Sequence, residues 1–167
     1  MSNQTQYLYD RKAAIDYAHK WARGRNPKYY DFESLGGDCT NYVSQCLYAG
    51  TGMMNHVKDT GWYYYDINNR AAAWTSVLYL YTFLTENKGS GPFGHEVGAE
   101  SAMPGDLVQL KLNKPDFQHT PIIVSIGKPL NLDTILVAAH SIDSDFRPLS
   151  TYDIKGIRFI HIDGYRK

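Results

Sequence analysis

The chain of 167 residues has only two cysteines, Cys39 and Cys46, and this scarcity excludes a fold held together by a framework of disulfides. If both thiols lie on one helix, two turns separate them by roughly 10 Å, which is too far for a disulfide bond. We therefore expect two free thiols, and we expect Cys46 to be an inert residue of the core.

An excess of charge is also missing, because 17 Lys and Arg residues balance 17 Asp and Glu residues. Affinity for phosphate backbones requires excess positive charge, so this composition argues against a nucleic-acid-binding protein. No run approaches the roughly 20 apolar residues that cross a bilayer, which predicts no membrane span. Segment 1–6 has neither the basic start nor the apolar run of a secretory signal, so we expect cytoplasmic synthesis without a signal peptide.

Metal-binding patterns are lacking as well. The sequence has no Cys and His pairs at zinc spacing and no His-Glu-x-x-His motif. Asp143 and Asp145 are close enough in sequence to contact one calcium ion, but such a pair is typical of a solvated loop. We expect neither a metal ion nor a cofactor.

The chain does contain a cysteine in a setting typical of a nucleophile. Segment 36–43 reads GGDCTNYV, and the apolar residues from there onward recur at the spacing of one buried helix face. With Asp38 as the predicted N-cap, Cys39 lies in the first helical turn, where unpaired N–H groups and the helix dipole favour a thiolate. The alternative is a free cysteine that serves as a small hydrophobic residue.

The predicted elements are helices first and strands second. Helices are predicted over about 10–23 (with Asp10 as N-cap), 38–50 and 70–87, and the buried face of the third comprises Trp74, Val77, Leu78, Tyr81 and Leu84. Strands are predicted over 105–110, 119–126, 134–140 and 157–162, the first of them after a turn at Pro104 and Gly105. This order is typical of an α+β fold in which N-terminal helices pack on an antiparallel β-sheet, and we expect one domain over 1–167.

His119 and His140 are the candidate partners of Cys39, because a cysteine nucleophile needs a base and a group that orients the base. They lie on the two strands of one predicted hairpin, whose turn is segment 127–131. Symmetric pairing about that turn places the imidazoles opposite each other, whereas a slip of one residue puts them on opposite faces. Asp143, just beyond the second strand, is the reserve residue for orienting His119.

Segments 38–45 (DCTNYVSQ) and 104–108 (PGDLV), followed by His119 at the start of an apolar strand, resemble the papain-like cell-wall hydrolases. That group includes the NlpC-like peptidases and the CHAP amidases. The likeness is greatest to its branch called the putative amidase domain, and it extends over residues 9–162.

The resemblance implies a papain-like fold, with Cys39 as the nucleophile, His119 as the base and His140 as the third catalytic residue. The N–H of Cys39 and a neighbouring donor, either the Gln45 side chain or a loop amide, would stabilise the oxyanion. The residues nominated for contact with the substrate are Asp38, Tyr30 and Gln45.

The function that follows is hydrolysis of amide bonds in bacterial peptidoglycan through an acyl-enzyme, by an amidase or an endopeptidase acting on the stem peptide. Such a bacteriolytic enzyme would reach the cell wall as a phage endolysin, an exported toxin or an excised module, with a wall-binding module outside this sequence. Two alternatives stay open. One is a cysteine acyltransferase or deamidase toxin on the same scaffold, and the other is a non-catalytic glycan-binding module.

Overall fold

The computed structural model describes residues 4–167, which form four α-helices and nine β-strands. The helices are α1 (Arg11–Trp21), α2 (Cys39–Thr51), α3 (Ala72–Thr75) and α4 (Val77–Glu86). The strands are β1 (Gln6–Tyr7), β2 (Tyr64–Asp66), β3 (Asn69–Arg70), β4 (Gly91–Val97), β5 (Leu107–Lys111), β6 (Ile122–Ile126), β7 (Ile135–Ala139), β8 (Ser144–Pro148) and β9 (Gly156–Arg166).

Seven of these strands form one curled antiparallel sheet in the order β1-β9-β5-β6-β7-β8, with β4 also paired to β9. Strands β2 and β3 form a separate hairpin. The fold is therefore α+β, as the order of elements predicts. Within residues 4–167, no helix has the length and apolar character that crossing a bilayer requires.

The first two helices pack closely because α1 presents small side chains to α2. Ala14 and Ala18 are fully buried, and the hydroxyl of Tyr42 on α2 donates a hydrogen bond to the carbonyl of Ala18 (2.6 Å). Asp10 caps α1, since its carboxylate accepts a hydrogen bond from the N–H of Ala13 (2.9 Å). Both helices lie where the sequence predicts them.

The prediction of one continuous third helix is wrong, because the chain breaks it into α3 and α4. Ser76 between them adopts an extended conformation (φ −114°, ψ 128°), and its side chain caps α4. The break changes which residues face inward: Leu80 and Phe83 are buried, whereas Leu78 is 60% exposed. The predicted face assumed an unbroken helical period across Ser76.

Both faces of the sheet are covered, so its central strands are buried almost throughout. On β5, Leu107 joins the core formed with the helices, whereas Val108 and Leu110 join a second cluster on the other face. Leu149 and Phe159 close that second cluster. The ends of β5, β6 and β7 are therefore held in place, and these ends surround the cleft described below.

Asp106 ties α1 to the sheet at the start of β5. Its buried carboxylate accepts hydrogen bonds from Arg11 (2.7 Å), His161 (2.8 Å) and the N–H of Ile162 (3.0 Å). Gly105 precedes it with φ 93°, in the left-handed region that glycine adopts without strain. The prediction of a turn before a strand is confirmed here.

Strands β6 and β7 pair as an antiparallel hairpin, but the register differs from the predicted symmetric one. Ile122 lies opposite Ala138. A bulge between Ile123 and Ser125 then shifts the register by one residue for the pairs that lie nearer the turn. A bulge places two residues of one strand against one of the other, so symmetry about the turn does not hold.

The observed register decides where the two histidines point. Continuing from the Ile122 and Ala138 pair by two residues places Thr120, and not His119, opposite His140. Because side chains alternate along a strand, the two imidazoles lie on opposite faces of the sheet. The prediction that His119 and His140 face each other is therefore wrong.

Candidate active site

Cys39 is the first residue of α2, and it is partly exposed. Gly36 and Gly37 precede it with φ values of 104° and 110°, so the chain bends there in a way that favours glycine. The thiol lies 3.7 Å from the hydroxyl of Thr40 and also contacts the backbone of Thr120 through a hydrogen bond. The helix start thus presents the sulfur beside the segment that leads into β6.

Cys39 and His119 line the same cleft, which has a volume of about 450 Å³. The start of α2 forms one wall, and the segment between β5 and β6 forms another. The two segments that follow β7 and β8 complete the cleft. The lining residues that bear reactive, charged or hydrogen-bonding side chains of interest are Cys39, His119, Arg147, Tyr152 and Asp153.

His119 is held by its backbone and by a tyrosine. Its carbonyl accepts a hydrogen bond from the N–H of Leu110 on β5 (2.9 Å), and the residue is 7% exposed. Its Nε2 lies 3.4 Å from the hydroxyl of Tyr152, with the two ring centroids 5.4 Å apart. A contact at Nε2 leaves Nδ1 as the ring nitrogen available for a proton of a thiol.

Tyr152 and Arg147 are cleft residues that the sequence reasoning missed. The guanidinium of Arg147 stacks on the ring of Tyr152, with its carbon 3.7 Å from the ring centroid. Both residues belong to β8 and the short turn after it, a strand that the sequence pattern did not predict. The only local signal is an arginine five residues before a tyrosine, which carries no recognisable chemistry by itself.

His140 lies away from His119, and both of its ring nitrogens have other partners. Nδ1 is 2.6 Å from the carboxylate of Asp38, and Nε2 is 2.8 Å from the carbonyl of Trp21. The ring also stacks on Tyr42, with the centroids 4.1 Å apart. The geometry therefore contradicts the predicted contact in which His140 orients His119.

Asp38 is a buried acceptor and not a residue of the cleft wall. At 1% exposure, its carboxylate accepts hydrogen bonds from the N–H of Phe32 (2.8 Å) and the amide of Asn41 (2.9 Å), in addition to its contact with His140. Asp38 is the N-cap residue of α2, as the sequence predicts, but its side chain makes no cap bond to the helix. Asp38 instead holds the loop before Cys39 against the helix.

Asp143, the reserve residue, is bound to an arginine. Both of its carboxylate oxygens accept hydrogen bonds from Arg25, at 2.8 and 3.1 Å. The same guanidinium lies within 4 Å of the carboxylates of Asp31, Glu33 and Asp38. This arrangement directs Asp143 away from His119, so the geometry also contradicts the reserve assignment.

Tyr30 and Gln45 do not line the cleft. The Tyr30 backbone is fixed by hydrogen bonds with Tyr64 and Asn41, and its side chain packs against Phe32. Gln45 is buried, and its carbonyl oxygen accepts a hydrogen bond from Tyr17 on α1 (2.6 Å). The structure therefore places neither side chain on the wall of the cleft that Cys39 lines.

Comparison with known proteins assigns the chain to a family. Residues 8–162 match the model of the family described as the putative amidase domain. The chain belongs to this family. It is also 33% identical over 150 residues to the uncharacterized protein YhbB of Bacillus subtilis (strain 168), a match that covers 88% of this chain and 46% of that protein. The chain thus spans a little under half the length of that relative, and no solved structure matches it.

The family description suggests that this amidase-family chain is a hydrolase acting on amides. The matched range contains every residue of the cleft, from Gly36 to Asp153. Among residues 4–167, no three His, Cys, Asp or Glu side chains are arranged to hold a metal ion.

The environment of the cleft raises the pKa of the Cys39 thiol, mainly through burial. Burial, together with the positive charge of Arg147, lowers the pKa of His119 to about 4. In the resting site at neutral pH the pair is therefore a thiol beside a neutral imidazole. Burial thus opposes the thiolate that the helix start was expected to favour, while the hydrogen bonds of the sulfur with Thr40 and Thr120 lower the pKa by less.

The lowered pKa of His119 predicts a pH dependence of stability. Between pH 6.5 and 4 the unfolded chain protonates this histidine while the folded chain does not, so the free energy of unfolding falls as pH decreases. By pH 4, this difference in protonation has lowered the free energy of unfolding by about 3 kcal/mol. Urea unfolding across this range measures it.

His119→Gln should abolish this part of the pH dependence. His56→Gln is the matched control, because His56 is exposed and no carboxylate among residues 4–167 lies within 4 Å of its ring nitrogens. Equal slopes of stability against pH in the wild type and His119→Gln would contradict the prediction.

Proposed function

We propose that this protein is a cysteine hydrolase that cleaves amide bonds through an acyl-enzyme, with Cys39 as nucleophile and His119 as base. The observation that carries the proposal is that a partly exposed cysteine at a helix start and a buried, neutral histidine line one cleft. A nucleophile and a base in one enclosed site is the arrangement that covalent acyl transfer requires.

The chemistry proceeds in two steps. His119 accepts the thiol proton as the sulfur of Cys39 attacks the amide carbonyl, and the carbon–nitrogen bond breaks when the imidazolium returns that proton to the leaving amine. Water, deprotonated by His119, then hydrolyses the thioester and releases the acid. The N–H of Cys39 has no carbonyl partner one turn earlier, because it is at the start of α2, and it can donate to the oxyanion.

Tyr152 is our proposed orienting residue for His119. Its hydroxyl is the side-chain group at Nε2 of that imidazole, and the Arg147 guanidinium packs against its ring. We expect Tyr152→Phe to lower kcat/KM by about fivefold and to lower Tm by no more than a few degrees, since it deletes one hydrogen bond of roughly 1 kcal/mol. Steady-state assays and thermal unfolding measure the two quantities.

His140→Gln provides the contrast, because it disturbs the buried contact with Asp38. We expect this variant to lower Tm together with activity. Full activity in Tyr152→Phe, beside a large loss in a His140→Gln protein of normal Tm, would return the orienting role to His140.

Bacterial peptidoglycan is the substrate that we propose, cleaved at the stem peptide as an amidase or an endopeptidase. Support comes from the resemblance of the cysteine segment to papain-like cell-wall hydrolases and from membership of an amidase family. A papain-like fold and action at the cell wall are parts of the same proposal.

Mass spectrometry of digested cell walls tests the substrate. Cleavage by an amidase frees the lactyl carboxylate of muramic acid and the amino group of the first residue of the stem peptide, whereas an endopeptidase frees a carboxylate and an amino group within the stem peptide. Cys39→Ser is the control, and the absence of new ends with a wild-type protein whose Cys39 is reactive would reject peptidoglycan as the substrate.

A further inference from the structure

Arg147 is the one permanently charged cation on the cleft wall, judged over residues 4–167. Its Nε and one Nη donate hydrogen bonds to the side chain and carbonyl of Thr151 (2.7 and 3.2 Å). No carboxylate of the described residues lies within 4 Å of this guanidinium, in contrast to Arg11 and Arg25. The charge therefore faces the cleft without an ion-pair partner.

We propose that Arg147 binds a carboxylate of the substrate close to the scissile bond, so that the preferred substrates are acidic amides. This inference rests on the proposed function of Cys39 and His119. The guanidinium is held in place by Thr151 and by stacking on Tyr152, which leaves its second Nη free to donate. A planar guanidinium with fixed orientation is well suited to a carboxylate.

The acidic residue of the cleft does not cancel this charge. Asp153 lines the cleft, but its carboxylate lies 3.0 Å from the ammonium group of Lys155, and both side chains are exposed. An exposed carboxylate with a neighbouring cation of its own contributes little at Arg147 because solvent screens it. The site at Arg147 thus remains open to an external anion.

Binding of a carboxylate at Arg147 would also change the basicity of His119, the proposed base. The charge of Arg147 is one of the two causes that lower the pKa of His119. A bound carboxylate neutralises that charge and raises the basicity of the imidazole. Acidic amides would therefore be favoured in turnover as well as in binding.

Alkylation of Cys39 tests the inference without requiring hydrolysis. Iodoacetate and iodoacetamide transfer similar groups to the thiol, and they differ in that only iodoacetate carries a carboxylate. We expect the ratio of the iodoacetate rate to the iodoacetamide rate to fall about fivefold in Arg147→Met, the size of one screened charge interaction. Arg147→Lys keeps the charge and should retain most of the ratio.

Controls assign the reaction to the cleft. Cys46 has no exposed surface, so alkylation should be absent from Cys39→Ser. Arg158→Met removes an arginine that stacks on Tyr81 outside the cleft (3.5 Å), and it should leave the ratio unchanged. Should Arg147→Met fail to fold, salt supplies a test in the wild type, where the ratio should decrease as ionic strength rises.

Two peptides complete the experiment: a γ-D-glutamyl stem peptide with a free α-carboxylate and the same peptide with an α-carboxamide. Wild-type kcat/KM should be about fivefold or more higher for the acid, and Arg147→Met should equalise the two. A reactive Cys39 with equal alkylation ratios in wild type and Arg147→Met, or with a salt-independent ratio, overturns the inference alone. A Cys39 inert to both reagents overturns the proposed function and the inference with it.

Discussion

Replacing Cys39 by serine should reduce amide hydrolysis by about 10⁴-fold or more while the protein remains folded. The hydroxyl is a weaker acid than the thiol, and the neutral His119, whose pKa is about 4, is too weak a base to activate it. Cys39 is partly exposed at the helix start, so the substitution leaves no cavity in the core. Product formation and far-UV circular dichroism measure the two effects.

Cys46→Ser is the matched control on the same helix. Cys46 is fully buried, and a buried hydroxyl without a good partner costs about 1–3 kcal/mol. We expect this variant to unfold at lower urea concentration and to keep its kcat within a few-fold of the wild type. An active Cys39→Ser protein, together with a stable but inactive Cys46→Ser protein, would refute the assignment of the nucleophile.

Replacing Asp38 by alanine should lower the free energy of unfolding by about 3–5 kcal/mol. The substitution leaves His140 without its carboxylate partner and the N–H of Phe32 without an acceptor, all in a site that is almost fully buried. Because Asp38 precedes Cys39, the loop at Gly36 and Gly37 should also loosen. Urea unfolding measures the first effect, and slower hydrolysis is expected from the second.

Asp143→Asn tests whether the burial of Asp38 is the reason why its replacement destabilises the protein. Asp143 contacts the same arginine as Asp38 does, but its side chain is 32% exposed, and partly solvated ion pairs contribute about 1 kcal/mol or less. We expect a change of that size in the free energy of unfolding. Similar losses for Asp38→Ala and Asp143→Asn would show that the Arg25 contacts, and not the buried bonds of Asp38, stabilise this region.

The sequence predicted the helices better than it predicted the sheet. Helix α1 has its cap at Asp10, and α2 ends where Gly52 adopts a left-handed conformation, so short-range chemistry determines both. At Ser76 the same reasoning failed, because a serine in the middle of an apolar period gives no strong signal for a break. Strands β4 and β8 were not predicted, since their stability comes from pairing with β9 and β7.

The residues of the candidate site divide in the same way, into those that local sequence patterns predicted and those that only the tertiary structure brought into the cleft. Cys39 and His119 were predicted as site residues because each stands at the start of a predicted element, where periodicity makes a polar residue conspicuous, and both line one cleft. Tyr152 and Arg147 carry no such signal, and they enter the cleft only because β8 pairs with β7. His140 was misplaced because one bulge in β6 changes the face on which a side chain lies.

By itself, the sequence determined that the chain has a helix beginning at Cys39, an apolar strand after His119 and an α+β order of elements. These features depend on caps, glycines and periodicity, which act over a few residues. Only the tertiary structure decided that Asp38 is bonded to His140, that Arg147 faces the cleft without a carboxylate, and that burial raises the pKa of Cys39. Strand register, desolvation and ion pairing between distant segments arise from the packing of the whole chain, and no local pattern encodes them.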